Sequence, residues 1–261
     1  MSLASRAEIA NAKRLVVKVG SSSISGANEE AIASLVDALA AAHGRGAEVI
    51  LVSSGAIANG MPLLGITAKP EDLATSQALA AVGQSRLIAR YQAALERFKI
   101  VAGQVLLTAD GLSDDEQTEN AKRAIERLLE LRVLPIVNEN DTVATAEIRF
   151  GDNDRLAALV AKLLAADALI LLSDIDALYD MPPTKAGAKR LDVVLATDDL
   201  DAIEVGGTST GFGTGGAVTK VAAAKLATEA GIPVLLTSTP LVSDALNGRQ
   251  VGTWFESRAG H

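Results

Sequence analysis

From residue 133 to residue 180 the chain keeps returning to one arrangement, an apolar run or an Ala/Leu-rich stretch bounded by a polar cluster. A strand-like run ends in Asn138-Glu139-Asn140-Asp141. Gly151-Asp152-Asn153-Asp154 then opens a helical stretch, and residues 169–172 run into Ser173-Asp174-Ile175-Asp176. Elements alternating in this way build a mostly parallel sheet with helices on both faces, and such sheets bind ligands in the crevice outside the carboxyl ends of their strands. The polar clusters therefore mark the floor of a site. Carboxylates and carboxamides without neighbouring His or Cys suit hard partners, such as a phosphate-bound Mg²⁺ or an ammonium group.

The alternation extends in both directions. Residues 14–19 (RLVVKV) predict a buried first strand feeding the loop Gly20-Ser21-Ser22-Ser23, where backbone N–H groups can approach an anion. The pattern predicts helix over 28–43, strand over 48–52, a helix opened by Ser53-Ser54-Gly55-Ala56, a long helical region over 70–98 containing Gly83, and strand over 100–108. It continues with helix over 116–131, strand over 134–137, a hairpin arm over 143–150, helix over 152–165 and strand over 168–172. Loops at Pro182-Pro183, Gly187 and 206–216 precede a last helix over 217–230 and a strand over 233–237. The expected fold class is α/β, a three-layer αβα sandwich around a mostly parallel central sheet, with residues 1–261 as one domain.

Hydrophobic residues make up 49% of the 261, enough for a sizeable core. The absence of Cys removes disulfides, thiolate nucleophiles and sulfur-ligated zinc together, and suits a reducing compartment. A net charge of −8 argues against a nucleic-acid partner, which needs a basic face. Residues 1–13 hold no signal-like apolar core, and the longest apolar region, 156–172, is broken by Lys162 and Asp167. A cytoplasmic protein without a membrane segment is expected. His43, beside Gly44, and the final His261 read as structural, so no Ser-His-Asp triad is expected.

Gly211-Phe212-Gly213-Thr214-Gly215-Gly216 matches G-x-G-x-x-G in form, but the turn-like residues 204–210 precede it where a dinucleotide site needs a strand. A Walker loop is absent. What remains is Thr214-Gly215-Gly216-Ala217-Val218-Thr219-Lys220, a Gly turn at a helix N-terminus whose amides favour phosphate and whose lysine can reach back toward it. A flexible loop with a solvated lysine is the plainer alternative. Lys18 interrupts an apolar strand just before its loop, which is expensive unless the charge is paired or lies at the mouth of a site. Asp152 serves equally as a simple N-cap, and residues 138–141 as turn chemistry alone. Asp174 and Asp176 lack the remaining parts of a calcium loop. Two lysines, two Gly loops and several carboxylates, with no His or Cys catalyst, fit phosphoryl transfer to an acceptor that is already anionic, such as a carboxylate.

At this point the residues resemble the glutamate 5-kinase (γ-glutamyl kinase) family, of the amino-acid kinase fold. The resemblance is carried by LVVKVGSSS (15–23), VSSGAIANG (52–60), LAAVGQSRLI (79–88), VNENDTVATAEIRFGDND (137–154), LLSDIDALY (171–179) and GFGTGGAVTK (211–220). It implies ATP and Mg²⁺, L-glutamate as substrate, and γ-glutamyl phosphate, the first intermediate of proline synthesis, as product. By the same resemblance Ser54, Asp141 and Asn153 are glutamate contacts, Lys18 and Lys220 stabilise the transferring phosphoryl group, and Asp154 orients both lysines. Lys18, Ser173, Asp174 and Thr214, Gly215, Gly216, Ala217, Val218, Thr219 and Lys220 resemble the nucleotide segment. No protein-ligated metal is implied. Proline as feedback inhibitor, a homo-oligomer and product transfer to glutamate-5-semialdehyde dehydrogenase also follow only from the resemblance. Ala217 and Val218 depart from the family's Met and its usually polar successor, and the chain ends where many members continue into a PUA domain. Acetylglutamate kinase and a silent nucleotide-binding sensor are the alternatives. The NEND and GDND motifs disfavour the first, and the joint presence of Lys18, Asp154 and Lys220 disfavours the second.

Overall fold

The computed structural model describes residues 3–24, 31–68, 70–143, 153–181, 187–198 and 217–258. Strand β1 (Arg14–Val19) is buried over its last five residues, as a β-branched run in the middle of a sheet should be. Helix α1 (Ala31–Gly44) turns Ile32, Leu35, Val36 and Leu39 inward, and β2 (Glu48–Ser53) follows. Helix α2 (Ala56–Gly60) is entered through Gly55 at φ 102°, a backbone conformation open to glycine. Helix α3 (Leu73–Glu96) starts at Asp72, whose side chain accepts from the Thr75 amide. Strand β3 (Ala102–Leu107), helix α4 (Asp115–Glu130) with its Asp114 cap, and strand β4 (Leu134–Glu139) come next.

A single turn, Asp141–Val143, follows β4. The hairpin arm expected over 143–150 lies outside the described residues apart from Val143, which belongs to that turn, and Asp152 is likewise outside. Helix α5 (Asn153–Leu163) leads to β5 (Ala168–Ser173). Three two-residue strands, β6 (Leu178–Tyr179), β7 (Arg190–Leu191) and β8 (Val193–Val194), precede helix α6 (Ala217–Glu229) and strand β9 (Val234–Ser238). Helix α7 (Val242–Leu246) and strand β10 (Thr253–Phe255) were not expected from the sequence. Five and three residues are too few to show a hydrophobic period.

Eight strands form one sheet in the order β3-β4-β2-β1-β5-β9-β10-β8, parallel except where β10 meets β9. Two helical layers cover it. Side chains of α1, α3 and α7, including Leu35, Leu39, Leu87, Tyr91 and Leu246, pack with Leu15, Val17 and Val19. Side chains of α4, α5 and α6, including Ile125, Leu156, Val160 and Ala224, pack with Val16, Ile50 and Leu171. The expected αβα sandwich is the observed one. Val19 pairs level with Ser53 and with Leu172, while Val52 is level with Val137. That register brings Asn138, Ser53, Gly20 and Ser173 to one edge of the sheet. No helix among the described residues is long and apolar enough to cross a membrane.

Candidate active site

Successive side chains of a strand point to opposite faces, so Lys18 shares the face of Val16, beneath α5 and α6. There it meets the first turns of both helices. Lys18 Nζ lies 2.6 Å from Asp154 Oδ1, and Lys220 Nζ lies 3.1 Å from Asp154 Oδ2. Thr219 Oγ1 donates to the same Oδ2 at 2.9 Å. These three charged residues are only 3%, 1% and 5% exposed, for Lys18, Asp154 and Lys220. Burial alone raises the Asp154 carboxyl, but the charges of Lys18 and Lys220 and hydrogen bonds from Lys18 and Thr219 outweigh it and hold the pKa at about 2. Two cations around one permanently ionised carboxylate leave this corner biased toward an anion. Gly20 borders it, and a side chain there would come within 3.7 Å of Lys18 Nζ.

One strand over, carboxamides dominate. Asn153, the first residue of α5, directs its Nδ2 at the Ser53 carbonyl (2.9 Å), Ser54 Oγ (3.0 Å) and Asn138 Oδ1 (2.9 Å). Asn138 in turn donates from Nδ2 to Gln84 Oε1 at 2.6 Å, and its Oδ1 also accepts from the Glu139 amide. All of these side chains are buried. Ser54 and Asn153, two of the three expected glutamate contacts, thus touch each other. Asp141 lies in the turn after β4, which packs on α3. Burial pushes its carboxyl up to about 6. Beside it Glu139 is pushed up to about 7 by burial and then by Asp141 and Asp110, against the pull of the Ala109 amide and Arg155.

The expected nucleotide residues are placed unevenly. Ser173 ends β5 and donates to Asp174 Oδ1 at 2.9 Å, and Asp174 is exposed. Thr214, Gly215 and Gly216 lie outside the described residues. Ala217 opens α6, Val218 is exposed, and Thr219 is tied to Asp154 rather than standing apart. Sequence reasoning missed Gln84 and Tyr91 as parts of this edge. Their signal was the stripe Ala80, Gln84, Leu87 and Tyr91 on α3, helical spacing with an amide on the buried face. Tyr91 lies 2.9 Å from Ser53 Oγ, next to the Ser54 backbone, and burial raises its phenol well above the usual range. No group of three His, Asp or Glu side chains among the described residues is arranged to hold a metal ion, and both oxygens of Asp154 face lysines. The donor set fits a metal brought by a nucleotide's phosphates better than one caged by protein alone.

A family model described as the amino acid kinase family matches residues 13–238. The chain is similar to "Glutamate 5-kinase" of Clavibacter sepedonicus, at 67% identity over 99% of this chain and 100% of that protein. It is 63% identical to "Glutamate 5-kinase" of Leifsonia xyli subsp. xyli (strain CTCB07), over 98% of this chain and 95% of that one. Among solved structures, carbamate kinase from Giardia lamblia bound to AMP-PNP shares the fold, with a TM-score of 0.69 at 17% identity over 95% of this chain and 100% of that chain.

Proposed function

The chain belongs to the amino acid kinase family, and from that footing we infer that it catalyses ATP-dependent phosphorylation of the γ-carboxylate of L-glutamate, giving L-glutamyl 5-phosphate for proline biosynthesis. The observation that carries the reading is the Lys18–Asp154–Lys220 cluster standing beside Ser54 and Asn153, in a chain so similar to glutamate 5-kinases along its length. A γ-carboxylate oxygen attacks the γ-phosphorus of ATP, the bond to the bridging oxygen breaks, and ADP leaves with that oxygen. The acceptor is already ionised at neutral pH, so no base is required.

The residue roles in this reading rest on the resemblance to glutamate 5-kinases, with support from the charge and position of the described residues. Lys18 and Lys220 face the oxygens on which charge accumulates during transfer, and Asp154 holds both ammonium groups in place while remaining ionised. Ser54, Asn153 and Asp141 take the amino acid, with the Asp141 carboxylate opposite its ammonium. Ser173, Asp174 and the segment from Thr214 to Lys220 take the nucleotide. Mg²⁺, carried in by the nucleotide, would offset charge on the phosphate oxygens, and no step is assigned to a metal held by protein.

Proline shares the α-carboxylate and cationic nitrogen of glutamate but lacks the γ-carboxylate. On this reading it occupies the same pocket without reacting, and raises the apparent glutamate KM in initial-rate series. An acyl phosphate is labile, which suits a cytoplasmic homo-oligomer handing its product to glutamate-5-semialdehyde dehydrogenase. The deciding experiment follows ATP consumption with L-glutamate, acetylglutamate, aspartate or UMP, and traps the acyl phosphate formed from each carboxylate acceptor as a hydroxamate. Hydroxamate from glutamate well above the other acceptors is expected. ATP turnover independent of glutamate, with no hydroxamate, would falsify the assignment.

A further inference from the structure

We propose that Gln84, on the buried stripe of α3, is a positioning residue that, through Asn138, reinforces the orientation in which the Asn153 amide faces the amino-acid pocket. The inference rests on the glutamate kinase reading and concerns a residue that reading does not use. An amide's oxygen and nitrogen are assigned by their partners. Here backbone groups decide at both ends of the chain of amides. The Glu139 N–H can only donate, so the Asn138 atom it meets at 2.9 Å is the oxygen. The Ser53 carbonyl can only accept, so the Asn153 atom it meets at 2.9 Å is the nitrogen. Asn138 must then turn its NH₂ toward α3, where Gln84 Oε1 receives it at 2.6 Å.

Two consequences follow for the pocket. With its NH₂ committed to Ser53, Ser54 and Asn138, Asn153 is left with a buried Oδ1 that has no partner among the described residues. Ser54 Oγ, accepting from Asn153, keeps its own proton to donate. The pair presents one acceptor and one donor, the complement of an α-ammonium and an α-carboxylate. Gln84 never touches the substrate. It holds Asn138 so that Asn138 can hold Asn153. Without the Gln84 acceptor, the Asn138 NH₂ is a buried donor lacking its partner, and rotating that amide to relieve the loss takes the acceptor away from Asn153.

The test compares wild type, Gln84→Met and Gln84→Glu in steady-state kinetics at saturating co-substrate, with melting curves for each. Loss of one neutral buried hydrogen bond predicts that Gln84→Met raises the glutamate KM about tenfold while the ATP KM and kcat stay within about twofold. Gln84→Glu keeps an acceptor at the same atom and should bring the glutamate KM back to within about threefold of wild type. An unchanged glutamate KM in folded Gln84→Met, or equal rises in both KM values, overturns the proposal. So does a Gln84→Glu variant no better than Gln84→Met. Should Gln84→Met fail to fold, Gln84→Asn, which withdraws the amide by one methylene, carries the same expectations. Wild-type protein that forms no hydroxamate from glutamate overturns the function together with the relay. A working wild type with an unaltered Gln84→Met overturns the relay alone.

Discussion

Asp154 carries an ion pair on each of its oxygens, so removing it differs in kind from removing either lysine. Asp154→Asn leaves two buried ammonium groups facing one another, whereas Lys220→Met leaves the Lys18–Asp154 pair intact. Breaking buried pairs by taking one partner costs roughly 3–5 kcal/mol, and Asp154→Asn should fall at the upper end with Lys220→Met clearly below it. Chemical denaturation gives the order, and a less stable Lys220→Met would contradict it. Both Lys18→Ala and Lys220→Ala should lower kcat by about 10²-fold or more, as expected when charge stabilisation of a transition state is lost. Asp141 supplies a pH dependence: burial holds its carboxyl at about 6, so the glutamate KM should rise as pH falls through that value while the ATP KM does not. Much of this was legible beforehand. A lysine inside an apolar strand announces an expensive charge, and Asn153-Asp154 stands where a helix begins. Gln84 was legible only as a member of the stripe with Ala80, Leu87 and Tyr91, and its role was not, because the amide it meets is known only once the partner strand is placed.

Helices α2 and α3 cross where neither can carry a side chain. A Cβ on Gly83 would sit 1.8 Å from the Ala56 carbonyl oxygen, and one on Gly60 would sit 2.1 Å from that of Leu79. Two effects compete in Gly83→Ala. Helix propensity favours alanine by about 1 kcal/mol, but a contact this short forces the two backbones apart, which costs about 3 kcal/mol or more in a packed interior. The clash wins. The variant should be less stable than wild type by at least about 2 kcal/mol in denaturant titration. Because α2 follows Ser54 directly, its displacement should also weaken glutamate binding. A variant as stable as wild type would mean the crossing yields easily. Gly83 was visible in the sequence as a break in a helical pattern, yet its cause lies well upstream, at the Ala56 carbonyl in α2. The long strands and helices were legible because each buries a periodic face. The closing strand β10 was not, since its place is set by pairing with Val234, Leu235 and Leu236.

Across the whole molecule, the carboxyl edge of the sheet holds acids displaced in opposite directions, and their effects on folding stability have opposite signs. The folded pKa of Asp154 is depressed from 3.8 to about 2, so its stabilisation is complete above pH 3.8 and is lost as pH falls toward 2. Glu139 behaves in reverse. Its folded pKa is raised from 4.5 to about 7, so between those values the folded protein holds a proton that the unfolded chain has released, and stability falls as pH rises through that window. Asp141, raised from 3.8 to about 6, acts in the same direction over a lower range. Without ligands, the melting temperature should therefore climb from pH 2 to about 4 and then decline toward 7. The net charge of −8 adds a decline of its own, so the wild-type curve alone does not isolate these groups. Glu139→Gln does, because glutamine mimics the protonated acid. Its curve should lie closest to wild type near pH 4.5 and separate upward until about pH 7, beyond which the gap stays constant. A gap of equal size at every pH would place the effect of Glu139 in packing, with no proton held at the sheet edge.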